Sequence, residues 1–243
     1  HAELFEESTT VRAGKAALYR NGLRGAAQLL ETSVQRSPGY APARYNLAYA
    51  YLFLNRPADA APQARAAYDI YEEKPLKADA AMLAGQAHLE SGNTGEALNC
   101  FLLCDRLDPR KFENMRRLTA LYARLGRKAE AKAVGDRIFD LDPVNPTGSQ
   151  AFLAAYMGSP LQAELPDIFR QLAARHAGNP EAAGNALYHL SVYYVQTGEN
   201  ALALKTVDEA EKSFRAALKE DHAVFKAIGQ IRQKAGQSPG PKE

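Results

Sequence analysis

The chain has 243 residues, of which 24% are charged and 46% hydrophobic, and its formal net charge is +2. No apolar run approaches the roughly eighteen residues of a membrane-spanning helix, so we expect no direct membrane insertion. Its basic residues are only locally concentrated and the overall balance is near neutral, which disfavours nucleic acid as a partner.

The predicted elements are helix pairs that recur along the chain. Small residues at one landmark position are separated by 34, 37 and 34 residues, at Gly14, Ala48, Gly85 and Thr119. A fixed period of this length predicts an all-α, right-handed superhelical solenoid of about six helix-turn-helix repeats with a C-terminal capping helix. We place the segments at 1–6 (N-terminal extension), 7–145 (four repeats), 146–183 (an irregular repeat), 184–217 (a repeat), 218–235 (the cap) and 236–243 (a disordered tail). Since the chain begins at His1 rather than Met, we expect a processed or truncated product.

The third repeat, residues 78–111, shows the pattern most clearly. Its first helix is predicted over 79–91 and its second over 94–107, with Gly92 ending the first helix in a left-handed cap. Thr94 is the expected N-cap of the second helix. Pro109 ends the repeat, and the small residue Gly85 allows the two helices to approach closely.

The repeat at 146–183 departs from the pattern. A short first helix ends at Gly158, and the second helix is predicted to begin at Pro166, because proline fits the first turn of a helix and not its interior. Either Phe152 or Leu153 could fill the core position. Two interpretations stay open: a tolerated loop insertion, or a break in the stack that shapes a binding pocket.

These residues resemble the tetratricopeptide repeat family, whose small, tyrosine, glycine, alanine, aromatic and proline series matches Gly85, His88, Gly92, Ala97, Phe101 and Pro109. The chain departs from the family in having no Trp and in having His88 in place of one Tyr, and the same series in the fourth repeat puts Gly135 at the aromatic position. The resemblance implies a protein-binding groove lined by the first helices. It also offers a carboxylate-clamp pattern, of which only Asn46 is present here, so we do not expect that clamp.

No catalytic motif is present: the chain has no glycine-rich phosphate loop, HExxH, GxSxG or usefully spaced Cys/His pair. We therefore expect no enzyme activity, no metal and no cofactor. Cys100 and Cys104 lie four positions apart on one helix, where a disulfide is geometrically poor. Reduced, buried thiols favour a reducing compartment such as the cytoplasm and leave the periplasm open. The frequent Arg and Ala suggest a bacterial source.

By register in the resembling family, exposed residues of the first helices line the groove. The candidate binding residues are Lys15, Tyr19, Tyr45, Tyr49, Phe53, Gln86, Glu90, Arg116, Arg124 and Tyr188. Tyr45, Tyr49 and Phe53 recur every four positions on one face, which indicates either a binding stripe or packing between repeats. The basic residues around the fourth repeat indicate either a site for acidic groups or a solvated face.

The expected function is a non-enzymatic protein–protein interaction module, an adaptor or scaffold that binds a peptide or partner protein with apolar anchors and acidic groups. The alternative is a scaffold that self-associates into a homo-oligomer through its repeats, because an exposed aromatic stripe serves either purpose.

Overall fold

The computed structural model describes residues 22–237, and these residues form helices connected by short loops. Lys15, Tyr19, the predicted extension and the first helix of the first repeat lie outside the described residues. The α-helices are α1 (Leu23–Arg36), α2 (Ala41–Phe53), α3 (Pro57–Ile70), α4 (Lys74–Glu90), α5 (Thr94–Leu107), α6 (Phe112–Arg124), α7 (Lys128–Leu141), α8 (Pro146–Tyr156), α9 (Leu165–Arg175), α10 (Pro180–Thr197), α11 (Asn200–Arg215) and α12 (Ala223–Gln237). Between residues 22 and 237 there is no strand.

The helices belong to two compact units, and we call the part up to Asn114 unit 1 and the part from Met115 onward unit 2. In unit 1, each helix from α1 to α4 packs on the one that follows it, and the first helices α2 and α4 also touch. Alanine and leucine side chains of α1 to α4 form one buried cluster there. In unit 2, α10 packs against α8, α9, α11 and α12.

The helix ends follow the predicted turn residues. Gly92 and Gly198 have φ of +79° and +80°, a left-handed conformation that costs glycine little because it lacks a Cβ atom. Asn55 takes the same role at φ 56°. The prediction for Thr94 was wrong: Asn93 is the N-cap residue, Thr94 is the first helical residue, and no side chain caps this helix end. Helix α4 also begins earlier than expected, at Lys74, because Pro75 suits its first turn.

Small residues meet aromatic rings where helices pack closely. A Cβ atom on Gly85 would lie 2.6 Å from the Phe101 ring, and one on Gly184 would lie 2.9 Å from the Phe214 ring. In both cases the glycine of a first helix faces the aromatic residue of the second helix of its own pair. The close approach that the sequence predicted at Gly85 is therefore confirmed.

Gly135 shows how this chain accommodates its missing aromatic residue. A Cβ atom at Gly135 would lie 2.0 Å from Cε2 of Phe152. Phe152 belongs to α8, the first helix of the next pair. Phe152 is fully buried and stacks on Tyr156 with ring centroids 5.0 Å apart. The space left by the glycine is thus filled by the following helix.

The irregular repeat consists of α8 and α9 joined by a loop that carries a 3₁₀ turn, Gln162–Glu164. Pro166 lies in the first turn of α9, one residue after its start, as predicted. Phe152 and Leu153 are both buried, so the two candidates for the core position both occupy the core. The Phe152 and Phe169 rings, 5.9 Å apart, connect α8 to α9.

The C-terminal helix α12 is held against α11 by charged side chains. Arg232 donates to Asp208 at 2.6 Å and also to Glu211. Arg215 pairs with Glu211 at 2.7 Å and lies over the Phe225 ring, 5.0 Å from its centroid. Ile228 and Ile231 complete the apolar contact.

Candidate functional site

The predicted aromatic stripe lies on α2 in unit 1, and its three members have different surroundings. Tyr49 is 43% exposed and Phe53 is 59% exposed, and their rings lie 4.9 Å apart. We call these two residues the α2 aromatic pair. Large exposed hydrophobic side chains that touch each other on a first helix provide a preformed apolar contact surface.

Tyr45, the third member, is half-buried and packs against the core of unit 1. Burial, and then the nearby Asp79 carboxylate, raises the pKa of Tyr45 to about 12. Since Asp79 belongs to α4, Tyr45 lies where neighbouring first helices pack. The packing between repeats that the sequence left open therefore applies to Tyr45, whereas Tyr49 and Phe53 remain exposed.

Gln86 and Glu90 lie on α4, the next first helix, and the Gln86 amide donates to the Glu90 carboxylate. Glu90 is exposed, and the Oε1 atom of Gln86 is buried without a hydrogen-bond partner among the described residues. The Gln86 amide nitrogen and the Glu90 carboxylate therefore bind each other, which makes α4 a polar neighbour of the α2 aromatic pair.

Arg116 and Arg124 are exposed on α6, eight positions apart, which is about two helical turns on one face. Two lysines of the predicted basic patch form ion pairs within the chain. Lys111 pairs with Asp79 at 2.6 Å, and Lys128 pairs with Glu164 at 2.6 Å. These ion pairs reduce the positive charge that the patch can offer to a partner.

Tyr188 belongs to a separate groove in unit 2 of about 730 Å³, formed by α8, α10, the end of α11 and the start of α12. We call it the unit 2 groove. Its lining is mostly apolar and comprises Val144, Pro146, Gln150, Leu153, Ala154, Met157, Glu181, Asn185, Tyr188, His189, Val192, Gln196, Phe214, Leu218, His222, Ala223, Val224 and Ala227. Size and lining are those of sites that hold ligands or peptide segments.

Asn185 and His189 of α10 are held in this groove by hydrogen bonds to backbone carbonyls. The Asn185 amide donates to the backbone carbonyls of Pro143 at 3.1 Å and Val144 at 2.6 Å. His189 Nδ1 lies 2.9 Å from the Asn185 carbonyl, and burial lowers the pKa of His189 to about 4, so the imidazole is neutral at pH 7. Glu181 lies one turn before Asn185 and contributes a carboxylate.

Sequence reasoning found Tyr188 and missed most of the other residues of this groove. The available signal was the apolar series Tyr188–Val192 on α10 together with the small side chain at Ala154. The approach of α12 to α10, which closes one side, is a tertiary feature that no periodicity encodes.

Two other predictions concern single residues of unit 1. Cys104 is buried and Cys100 half-buried, and burial raises the pKa of both thiols. The Asn46 amide donates to the Pro42 carbonyl at 2.6 Å, so it is engaged within its own helix.

Within residues 22–237 no cluster of three His, Cys, Asp or Glu side chains could hold a metal ion, and no helix has the length and apolarity of a membrane span.

Residues 20–67 and residues 78–111 each match a family model of the tetratricopeptide repeat. The chain is a tetratricopeptide repeat protein. No curated protein matches the sequence of this tetratricopeptide repeat protein. The repeats mark it as a protein–protein interaction module.

Solved structures of other proteins have the same fold. PilF of Pseudomonas aeruginosa is 15% identical and aligns over 93% of this chain and 99% of its own, with a TM-score of 0.58. MamA is 16% identical over 71% of this chain and 93% of its own, also with a TM-score of 0.58. YrrB, described as a TPR protein with an unusual peptide-binding site, is 14% identical and aligns over 91% of this chain and 90% of its own, with a TM-score of 0.50. At these identities the likeness shows the helical solenoid fold of this tetratricopeptide repeat protein.

Proposed function

We propose that this protein is a non-enzymatic adaptor that binds a segment of a partner protein through the face of its first helices, with the α2 aromatic pair as the apolar anchor. The observation that carries the proposal is the exposure of Tyr49 and Phe53, at 43% and 59%, on a helix whose opposite face already fills the core. Packing within the repeat does not need a second aromatic face.

The chemistry of the pair suits an interface. Aromatic side chains bring a large contact area with few rotatable bonds, and they are enriched among the residues that dominate binding energy. The Tyr49 and Phe53 rings already pack against each other, with their centroids 4.9 Å apart, so little side-chain freedom is lost when a partner covers them. Gln86 and Glu90 on the adjacent α4 would form the polar edge of this contact.

Arg116 and Arg124 add a preference for acidic groups. Both are exposed and lie on one face of α6, and guanidinium groups bind carboxylates through paired hydrogen bonds. Because both arginines belong to unit 2 and the α2 aromatic pair belongs to unit 1, we treat the two surfaces separately: the pair suits apolar anchors, and the arginines suit acidic side chains.

Self-association is the second candidate, and the same exposed pair favours it. Two copies could each bury Tyr49 and Phe53 in a symmetric contact. The mass measured by light scattering separates the two functions, since a self-associating scaffold grows in mass with concentration and an adaptor stays a monomer without its partner.

The test uses a matched pair of double variants. Tyr49→Ala with Phe53→Ala removes the anchor, and Leu202→Ala with Leu204→Ala removes two side chains of comparable exposure, 40% and 37%, from the second helix α11. Each protein is immobilised to capture partners from lysate, and bound proteins are quantified by mass spectrometry. We expect one partner to be lost with the α2 variant and kept with the α11 variant; equal capture by both would refute the proposal.

A further inference from the structure

The unit 2 groove has a polar stripe that presents hydrogen-bond acceptors. Glu181, Asn185 and His189 recur every four positions on α10 and all three line the groove. Residues with this spacing lie on one face of a helix, over about 12 Å of its length. The stripe runs beside the apolar residues Tyr188 and Val192.

Asn185 has only an acceptor to offer. Its amide nitrogen donates to the two backbone carbonyls of Pro143 and Val144. An amide has two N–H donors, so both are used, and the opposite orientation would place its oxygen against two other oxygens. The Oδ1 atom is therefore the part of this side chain that remains for a ligand.

His189 is an acceptor for the same kind of reason. The Asn185 carbonyl can only accept, so Nδ1 of His189 carries the proton of that hydrogen bond. The neutral ring then has its lone pair on Nε2. The Phe169 and Tyr188 rings flank the imidazole, with centroids 6.5 Å and 5.3 Å away, and hold its orientation.

Glu181 supplies the charge. It is half-buried in the first turn of α10, and no ion pair to it is present among residues 22–237. The groove lining contains neither lysine nor arginine. His222, at the start of α12, accepts the Val224 N–H through Nδ1 and lies among the other groove residues.

We propose that the unit 2 groove binds a peptide segment that places a lysine or arginine against Glu181, Asn185 and His189 and apolar side chains against Tyr188 and Val192. An ammonium or guanidinium group has donors only, which matches a stripe of acceptors with one negative charge. An acidic side chain would be repelled, because it would face the Glu181 carboxylate and the lone pairs of Asn185 Oδ1 and His189 Nε2. This site is independent of the α2 aromatic pair and prefers the opposite charge to that expected for Arg116 and Arg124.

The experiment selects ligands without assuming a partner. Phage-displayed random dodecapeptides are panned on the wild-type chain after depletion on Ala154→Phe, which fills the groove from an exposed position of α8. Ala223→Phe, from the exposed start of α12, blocks the groove independently and serves for depletion if the first variant alters the circular dichroism spectrum. We expect the surviving pool to be enriched in Lys or Arg flanked by apolar residues.

The strongest peptide is then titrated by fluorescence anisotropy. Glu181→Gln should weaken binding roughly three- to tenfold at low salt, the scale of one partly exposed charged contact. Glu96→Gln is the matched control, because Glu96 also lies in the first turn of its helix, α5, and does not line the groove. It should leave binding unchanged, as should the double variant Tyr49→Ala/Phe53→Ala.

Any of three results with peptides would overturn the proposal: no peptide survives depletion, the pool is enriched in Asp or Glu, or Glu181→Gln binds like Glu96→Gln. Binding of a free polyamine as tightly as the peptide would also overturn it, because the apolar wall would then contribute nothing.

Discussion

Replacing Gly135 by Ala tests the packing by which Phe152 fills the missing aromatic position. The added Cβ atom would lie 2.0 Å from Cε2 and 2.6 Å from Cδ2 and Cζ of Phe152. Ordinary carbon contacts are about 3.5–4.0 Å, so the ring has to move by roughly 1.5 Å. It is fully buried and packed on Tyr156 and Phe169, which oppose that movement.

Overpacking of this kind costs about 3 kcal/mol at its upper end, and alanine recovers about 1 kcal/mol over glycine inside a helix. We therefore expect Gly135→Ala to lower the free energy of unfolding by about 2 kcal/mol. The assay is urea unfolding followed by circular dichroism, with the slope of the transition compared between variants.

Two further variants make the test specific. Gly229→Ala in α12 adds a Cβ atom that meets nothing within 4 Å, so it should raise stability by about 0.5–1 kcal/mol. Phe152→Leu removes ring atoms near the new Cβ, so the double variant should be more stable than the sum of the single effects by about 1 kcal/mol or more. Gly135→Ala with wild-type stability, or additive effects in the double variant, would refute the packing argument.

The remaining predictions concern pH and charge. Burial lowers the pKa of His189 from 6.5 to about 4, so the unfolded chain binds this proton more readily than the folded chain does. The neutral His189 therefore contributes its full stabilisation of the fold above pH 6.5. As the pH falls toward 4, the free energy of unfolding drops by up to about 3 kcal/mol. The urea midpoint of His189→Gln should therefore change less between pH 7 and pH 4 than that of wild type. If the two midpoints change equally with pH, His189 is not the source of the pH dependence. Arg116→Glu with Arg124→Glu should weaken partner binding mainly at low salt in a titration series, and an affinity unchanged at every salt concentration would mean that both arginines are only solvated.

Local chemistry made the helix ends predictable. Gly92 and Gly198 stand where the chain needs a left-handed residue, and Asn55 is the usual second choice. The close contact at Gly85 followed from the same kind of argument, since only a small residue lets two helices approach closely. The start of α9 near Pro166 followed from the fixed φ of proline.

Features that depend on neighbouring repeats were less accessible. Tyr45 repeats with Tyr49 and Phe53 in the sequence, yet its surroundings differ because it faces Asp79 of the next first helix. The filling of Gly135 by Phe152 uses a residue from the following pair. Helical periodicity identifies which residues share a face of one helix, and it does not identify what covers that face.

The unit 2 groove illustrates the same limit. Its apolar residues Tyr188 and Val192 were visible as a first-helix series, but the lining that faces α10 comes from α8 and α12. The acceptor character of Asn185 depends on the carbonyls of Pro143 and Val144, about forty positions earlier in the chain. Such long-range hydrogen bonds require the fold.

The most direct test of the central claim is the dissociation constant of the captured partner, measured by isothermal titration calorimetry for wild type, the α2 double variant and the α11 double variant. Two anchoring aromatic residues contribute about 1–2 kcal/mol each or more, so Tyr49→Ala/Phe53→Ala should weaken binding at least about thirtyfold while helicity and the cooperativity of melting stay near wild type. Leu202→Ala/Leu204→Ala should bind like wild type. Wild-type affinity in the α2 variant, or its unfolding, would show that the aromatic pair serves packing and does not anchor a partner.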